Sequence, residues 1–332
     1  MSPRHDPPRV VITADFDRSI AAELSADFDL TVRPPDGTGR SLAEADLGDA
    51  LAGADAVVCE LDRVDPATLA VATSLSLVVS CRAAPVNVDI DACSARGVTV
   101  ATTPGRNADV TADLAVTLLL TTLRRTSAAE AWVRSGAWSD DDVFEPYRLF
   151  RGPGLAGRTL GLLGGGAVGR RVARRARAFG MSVLVYDPHL SDGALGDDAR
   201  LVPLDELLAQ SDVVSVHVPL AESTIGLVGA AEIAAMRPGS YLINAGRAAV
   251  VREDALLDAL RSGHLAGAGL DVFWTEPLAA GHPLLDLPSV VLTPHIGGAS
   301  DDVVVEHSRQ AAAALRAWAA GEVLTAVANP GA

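Results

Sequence analysis

Three residues far apart in the 332-residue chain, Arg247, Glu276 and His295, have the types that reversible carbonyl reduction needs. A guanidinium can grip a carboxylate or a carbonyl through charge-assisted, two-pronged bonds. A protonated imidazole can give a proton to a carbonyl oxygen as hydride arrives at carbon. A neighbouring carboxylate orients that imidazole and favours its charged form. Each of the three follows an apolar run that reads as a strand. Arg247 comes after YLIN and Ala245-Gly246, and Glu276 comes after AGAGLDV, which also carries Asp271. His295 comes after VVLTP and leads into Gly297-Gly298. In open parallel sheets ligands sit outside the carboxyl ends of the strands, so these positions are expected on one rim. His217, which ends VVSVH, reads equally as a cofactor-side group or as packing.

A hydride carrier needs a seat, and residues 158–187 have the pattern for one. The apolar run 160–163 suits a buried strand, and Gly164, Gly166 and Gly169 follow in G-x-G-x-x-G spacing. A helical stretch then runs to Gly180, and a second strand, 182–186, ends on Asp187. Gly164 allows the tight turn, Gly166 lets backbone approach a pyrophosphate, and Gly169 lets helix and strand pack closely. The helix N-terminus offers free N–H groups and partial positive charge to phosphates. An acid at this distance from the glycines can accept bonds from a ribose 2′-OH, and its charge favours NAD over NADP. A strand-end turn with Pro188 is the plainer reading of Asp187.

The elements that must position these groups follow from the hydrophobic pattern. Strands are expected at 10–13, 56–59, 77–80 and 98–101, with helices at 42–53 and 89–96 and a helix-like pattern over 20–24. This alternation implies a parallel sheet covered on both faces. Residues 107–125 read as a long helix, with Asn107 or Asp109 as N-cap and Arg124 and Arg125 at its C-terminal end. Its broad apolar face suits a helix buried between domains or between subunits. Residues 135–157, with Trp138, Phe144, Tyr147 and Phe150, read as a loop with its own packing. Beyond Asp187, helices are expected at 201–209, 253–261 (stopped by Gly263) and 301–320. Strands are expected at 213–218, 241–244, 265–272 and 290–293.

Composition narrows the partners. The length suits two domains. A formal charge of −15 argues against nucleic acid or an anionic membrane. Every basic residue is Arg, which excludes Schiff-base lysine chemistry and a Walker-type phosphate loop. Cys59, Cys81 and Cys93 form no CxxC pair, and this sparse, odd count suits a reducing cytoplasm. Residues 1–8 show no signal peptide. The apolar run 114–123, broken by Thr, is too short to span a bilayer. His5, His189, His264, His282 and His307 lack metal-site spacing, and no metal is expected. The cluster Arg170, Arg171, Arg174, Arg175 and Arg177 reads mostly as a solvated helix face, with Arg170 placed to touch pyrophosphate.

Taken together, TPGRNADVTADLAVTLLL, LGLLGGGAVGRRVA, VYDP, VSVHVPL, LINAGRAAVV, GAGLDVFWTEPL and LTPHIGGAS resemble the D-isomer-specific 2-hydroxyacid dehydrogenases over nearly the whole chain. That family includes phosphoglycerate, D-lactate, glyoxylate, formate and phosphite dehydrogenases. The resemblance implies an α/β chain of two Rossmann-like domains with doubly wound parallel sheets, in the formate/glycerate dehydrogenase-like arrangement. Residues 1–103 and 298–332 would form a discontinuous substrate domain and 104–297 the NAD-binding domain. It implies that Arg247 binds substrate, that His295 is the general acid/base, and that Glu276 is its partner. Gly164, Gly166, Ala167, Val168, Gly169, Asp187, His217, Ala245, Gly246, Asp271, Gly297 and Gly298 would form the NAD site, with Asp271 on the nicotinamide carboxamide. The substrate loop would use Arg82, Ala83 and Ala84. The long helix near 107–125 would contribute to a homodimer interface, and no regulatory extension is expected.

Departures from the family pattern concern the substrate. Ala248 follows the arginine where Gly is usual, and Thr111-Ala112-Asp113 replaces Val-Ala-Glu. Residues 81–89, CRAAPVNVD, replace a loop close to GVGVDNID. Arg82 either faces an anionic substrate or pins its loop through a salt bridge. The expected activity is hydride transfer between NAD and a small anionic 2-hydroxy or 2-oxo acid in the cytoplasm. Two alternatives stand beside it. One is a dehydrogenase of phosphite, formate or a phosphonate-bearing acid, with Arg82, Arg148 and Arg151 as anion contacts. The other is an NAD-sensing binding protein like the family's transcriptional corepressors.

Overall fold

The computed structural model describes residues 7–33, 42 and 44–331. His5 and residue 43 of the expected 42–53 helix fall outside them. The chain divides into two compact units, residues 1–107 with 300–332, and residues 108–299. The seams expected at 103/104 and 297/298 lie a few residues from these.

The first unit is built on a parallel sheet of β1 (Arg9–Ile12), β2 (Asp29–Val32), β3 (Ala56–Cys59), β4 (Leu77–Ser80) and β5 (Thr99–Thr102), in the order β2-β1-β3-β4-β5. Its helices are α1 (Arg18–Leu24), α2 (Glu44–Leu51), α3 (Pro66–Val71), α4 (Ile90–Ala95) and, from the far end of the chain, α12 (Asp301–Ala319). β1, β3, β4 and β5 are largely buried on both faces, as parallel strands flanked by helices must be, while the edge strand β2 is only partly buried. Val11, Val57, Val78 and Val100 pack with Leu47, Leu51 and Leu69 on one side. Ile12, Val58, Val79 and Ala101 pack with Ala311, Ala312 and Leu315 of α12 on the other. Aspartates open the short helices: Asp17, Asp65 and Asp89 each accept N–H bonds from the first turn that follows.

The C-terminal tail is strapped to β5. Asn329 accepts a bond from Val100 N–H and donates to the Val98 carbonyl and to Ser94 Oγ. Thr102 N–H donates to the Ala326 carbonyl, and Ala328 N–H to that of Val100.

The second unit begins with α5 (Ala108–Arg124), α6 (Thr126–Arg134) and the short α7 (Glu145–Leu149). Its parallel sheet comprises β6 (Thr159–Leu163), β7 (Ser182–Tyr186), β8 (Arg200–Leu201), β9 (Val213–Val216), β10 (Ser240–Asn244), β11 (Leu265–Leu270) and β12 (Val290–Leu292). Their order is β12-β11-β10-β9-β6-β7-β8. The remaining helices are α8 (Ala167–Ala178), α9 (Leu204–Gln210), α10 (Ala230–Ala235) and α11 (Glu253–Ser262). Gly263 ends α11 in the left-handed conformation at φ 75°.

Several expectations are corrected. β2, β8, α3, α6 and α10 are absent from the sequence reading, and α7 lies inside the stretch read as loop. β2 and β8 are short and only partly buried, so they show little hydrophobic pattern. Asp109 does not cap α5: it lies in the first turn, and its carboxylate takes the Arg171 guanidinium at 2.8 Å. The apolar face of α5 belongs to its own unit, where Ala112, Ala115, Leu118, Leu119 and Leu123 join Leu160, Leu162, Val172 and Ile243 in one core. Among the described residues no helix is long and apolar enough to cross a membrane.

Candidate active site

The glycine turn joins β6 to α8. Gly164 sits at φ 101°, and a Cβ there would come within 2.9 Å of the His217 main chain. A Cβ on Gly169 would collide with the Gly164 carbonyl oxygen. Both positions therefore need glycine for the fold itself. Gly166 differs: a Cβ there would meet no protein atom within 4 Å. Gly166 is also the residue before α8, and no side chain caps that helix. The N–H groups of Ala167, Val168 and Gly169 at this end are open to a ligand's phosphate oxygens. Asp187, at the end of β7, accepts from Gly165 N–H at 2.9 Å and from His189 N–H at 3.0 Å. It closes the turn over Pro188 and ties that turn to the glycine loop, as the plainer reading of Asp187 expects.

His217 follows β9. Its Nε2 lies 2.9 Å from Ser215 Oγ, and its Nδ1 is sealed from solvent without a partner among the described residues. Burial pushes its pKa down to about 4, so the ring is neutral. An orphaned buried nitrogen, an uncapped helix and an open glycine all fit a dinucleotide lying along this edge.

Further along the same edge, the Asn244 side chain shapes the turn that carries Arg247. Asn244 Oδ1 accepts from Gly246 N–H at 3.0 Å, and its Nδ2 donates to the Arg247 carbonyl at 3.1 Å. Gly246 lies so close to β9 that a Cβ would come 2.9 Å from the Val216 carbonyl oxygen. Ala245, which ends the approach to this turn, is buried in the core. Arg247 is exposed, and its Nη1 donates to the Gly246 carbonyl.

His295 Nδ1 lies 2.7 Å from Glu276 Oε2, and Glu276 Oε1 accepts from Phe273 N–H at 3.0 Å. A carboxylate only accepts, so Nδ1 carries the hydrogen and Nε2 is left for a reacting oxygen. Burial works to raise the pKa of Glu276. The bonds from His295 and Phe273 and the charges of His295 and Arg247 outweigh it and hold the carboxyl below its ordinary value. Arg247, Glu276 and His295 are thus electrostatically coupled, although they come from three separate strand ends.

The loop bearing His295 is held in an unusual shape, with φ 54° at a non-glycine residue. Asp271, buried at the end of β11, accepts from Thr293 Oγ1 at 2.6 Å, Ile296 N–H at 2.8 Å and Gly297 N–H at 2.8 Å. Thr111 Oγ1 of α5 donates to the Gly297 carbonyl at 2.8 Å. The carboxylate expected on a nicotinamide amide therefore clamps this loop; Gly298, just beyond it, is exposed. Asn244 and Thr293 went unnoticed in the sequence, where Thr111 stood out only as a departure from the family pattern. A polar residue ending an apolar strand was the signal for the first two.

The arginines outside this edge are mostly engaged. Arg171 and Arg175 bond Asp109 and Asp113 of α5, and Arg174 bonds Asp198, so this face of α8 is a helix-to-helix tie as much as a solvated surface. Arg170 donates to the Ala194 carbonyl. In the first unit Arg82 Nε donates to the Glu60 carbonyl at 2.9 Å, so it pins its loop through main chain; Ala83 and Ala84 are exposed. Arg148 pairs with Asp142, and Arg151 is exposed.

Residues 116–297 match the model of the D-isomer specific 2-hydroxyacid dehydrogenase NAD binding domain. The chain belongs to this family. It is 41% identical over 263 residues to a glyoxylate reductase of Thermococcus litoralis, covering 79% of each chain. The TT0316 protein of Thermus thermophilus superposes with a TM-score of 0.81 at 36% identity, over 96% of this chain and 99% of that one. D-mandelate dehydrogenase of Rhodotorula graminis gives 0.82 at 29% identity, over 97% of both. As a D-2-hydroxyacid dehydrogenase the protein is an NAD-dependent oxidoreductase, and the uncapped α8, Gly166 and Asp187 are the parts of this chain that fit that cofactor. Among the described residues no group of three His, Cys, Asp or Glu could hold a metal ion.

Proposed function

We propose that this dehydrogenase interconverts a small anionic 2-oxo acid and its D-2-hydroxy acid, with Arg247, Glu276 and His295 as its catalytic residues. The observation that carries this reading is the 2.7 Å His295–Glu276 bond with the Arg247 charge beside it. Bound NADH supplies the hydride to substrate C2. Arg247 grips the carbonyl and carboxylate oxygens and so fixes which face of C2 is presented. His295 gives its Nε2 proton to the C2 oxygen as charge develops there, and takes it back in the oxidative direction. Glu276 stabilises the imidazolium and keeps its ring aimed. Gly164, Gly166, Ala167, Val168, Gly169 and Asp187 hold the dinucleotide, with His217, Ala245, Gly246, Asp271, Gly297 and Gly298 lining the remainder of its edge. The substrate-loop assignment of Arg82, Ala83 and Ala84 rests on the family resemblance of residues 81–89 alone.

Replacing His295 with Ala should lower kcat by about 10²–10⁴-fold with any 2-oxo acid the enzyme accepts, while NADH binding, followed by fluorescence, is retained. Unchanged turnover would remove His295 from the proton step. The phosphite or phosphonate reading loses support, because Arg148 is neutralised by Asp142. For a pure NAD sensor, the coupled triad would have no role. We further propose a cytoplasmic homodimer. Sedimentation velocity at micromolar concentration should give one species of twice the chain mass, and a monomer there would end that proposal.

A further inference from the structure

Glu276 stands on a loop with little main-chain support. Among the described residues the main chain from Trp274 to Gly281 makes no hydrogen bond to another element. A loop without such bonds opens at little cost, and a carboxylate on it needs side chains to hold it in register. Two side chains do so. Trp274 Nε1–H donates to the Val251 carbonyl at 2.7 Å, and His282 Nε2 lies 2.7 Å from Glu253 Oε1. The carboxylate only accepts, so His282 Nε2 carries the hydrogen, and its Nδ1 accepts from Leu284 N–H at 3.3 Å.

Both anchors lie on one segment of the second unit, the one that follows Arg247. A 3-10 turn, Ala248–Val250, joins Arg247 to Val251. Within it Val250 N–H donates to the Arg247 carbonyl at 3.3 Å and Val251 N–H to that of Ala248 at 2.9 Å. The segment is strapped to residues 226–228 on its other side. Gly226 N–H donates to the Ala249 carbonyl, Val228 N–H to that of Val250, and Arg252 N–H to that of Val228. Val251 is buried, so its carbonyl is a fixed post.

From this post a short path leads to the proton-transfer pair. Trp274 follows Phe273, whose N–H donates to Glu276 Oε1 at 3.0 Å, and Glu276 Oε2 meets His295 Nδ1 at 2.7 Å. The indole is half-buried against the core of the second unit. A ring there only to fill space would serve without a donor, whereas this one spends its single N–H on the Arg247 segment.

Resting on the dehydrogenase reading above, we propose that Trp274 is a positioning residue of the acid/base pair: its indole N–H ties the Glu276 loop to the Arg247 segment and so sets the carboxylate against His295. The residue acts through Glu276 and touches neither substrate nor cofactor.

A double-mutant cycle on the full-length protein tests this, with NADH and a panel of glyoxylate, pyruvate and hydroxypyruvate. Trp274→Phe keeps an aromatic ring and removes the N–H. It should lower kcat about tenfold for the acid turned over fastest, with the KM for that acid and the affinity for NADH little changed. In a Glu276→Gln background the same substitution should change kcat by less than about twofold, because the carboxylate it positions is already gone. Equal losses in both backgrounds, or no loss in the wild-type background, overturn the proposal.

Amide hydrogen exchange of the NAD-loaded protein reads the hold on Glu276 without turnover. Trp274→Phe should speed exchange at Phe273 about tenfold while Val228 and Arg252 keep their rates. An unchanged rate at Phe273 overturns the proposal, as does a loss of protection that spreads to Val228 and Arg252. Absence of wild-type turnover with every acid of the panel, alongside that local change at Phe273, would defeat the dehydrogenase reading and leave the tie between Trp274 and the Glu276 loop supported.

Discussion

The bond between His295 and Glu276 joins a residue in the left-handed region to one held by main-chain N–H, so both ends are fixed before substrate arrives. The direction of the Glu276 shift makes a prediction about pH. Its carboxyl titrates below the ordinary 4.5, so its charge, and the stabilisation of the His295 imidazolium that depends on it, is complete above that value and is lost only as pH falls through the lowered one. The ratio of wild-type kcat/KM to that of Glu276→Gln should therefore hold level from about pH 7 down to about pH 5 and shrink only below that. A ratio that begins to shrink near pH 6 would mean that Glu276 is protonated in the working enzyme. Residue types were readable at this scale, since Arg247, Glu276 and His295 stand out at strand ends. The clamp role of Asp271 was not, because its donors, the Thr293 hydroxyl and the Ile296 and Gly297 N–H groups, come from residues more than twenty positions away.

At the scale of elements, the turn between β6 and α8 separates glycines needed by the fold from the glycine kept open for a ligand. Gly169→Ala should destabilise the second unit by several kcal/mol, because the new methyl meets backbone that cannot yield. Gly166→Ala should leave the melting temperature nearly unchanged and weaken NADH binding about tenfold or more, because its methyl fills ligand space. Equal losses of stability in the two variants would contradict this division. The strand–glycine–helix–strand–acid run was legible because every part of it is local. β2, β8, α3, α6 and α10 were not, since their short or half-exposed segments take their conformation from neighbours that the local pattern does not reveal.

At the scale of the whole molecule, the chain returns to its first unit after building the second. α12 completes the core over β1, β3, β4 and β5, and the tail beyond it is stitched to β5 through Asn329. Asn329→Ala removes three bonds, one of them from the buried Val100 N–H. It should cost the first unit about 1–3 kcal/mol, seen as a lowered unfolding midpoint in urea, while NADH affinity at the second unit is unaffected. An unchanged midpoint would show that the tail follows the fold rather than holding it.

The sequence by itself determined the two parallel-sheet units, the nucleotide-binding turn and the identities of the three chemical groups. These depend on hydrophobic period, glycine spacing and residue type, all of which act over a few residues. Tertiary structure alone decided that Arg247 lies within electrostatic reach of Glu276, that Asp271 clamps the His295 loop, and that Trp274 bonds the segment after Arg247. Those contacts join positions tens of residues apart. Only the order in which β9, β10, β11 and β12 lie beside one another brings their ends together.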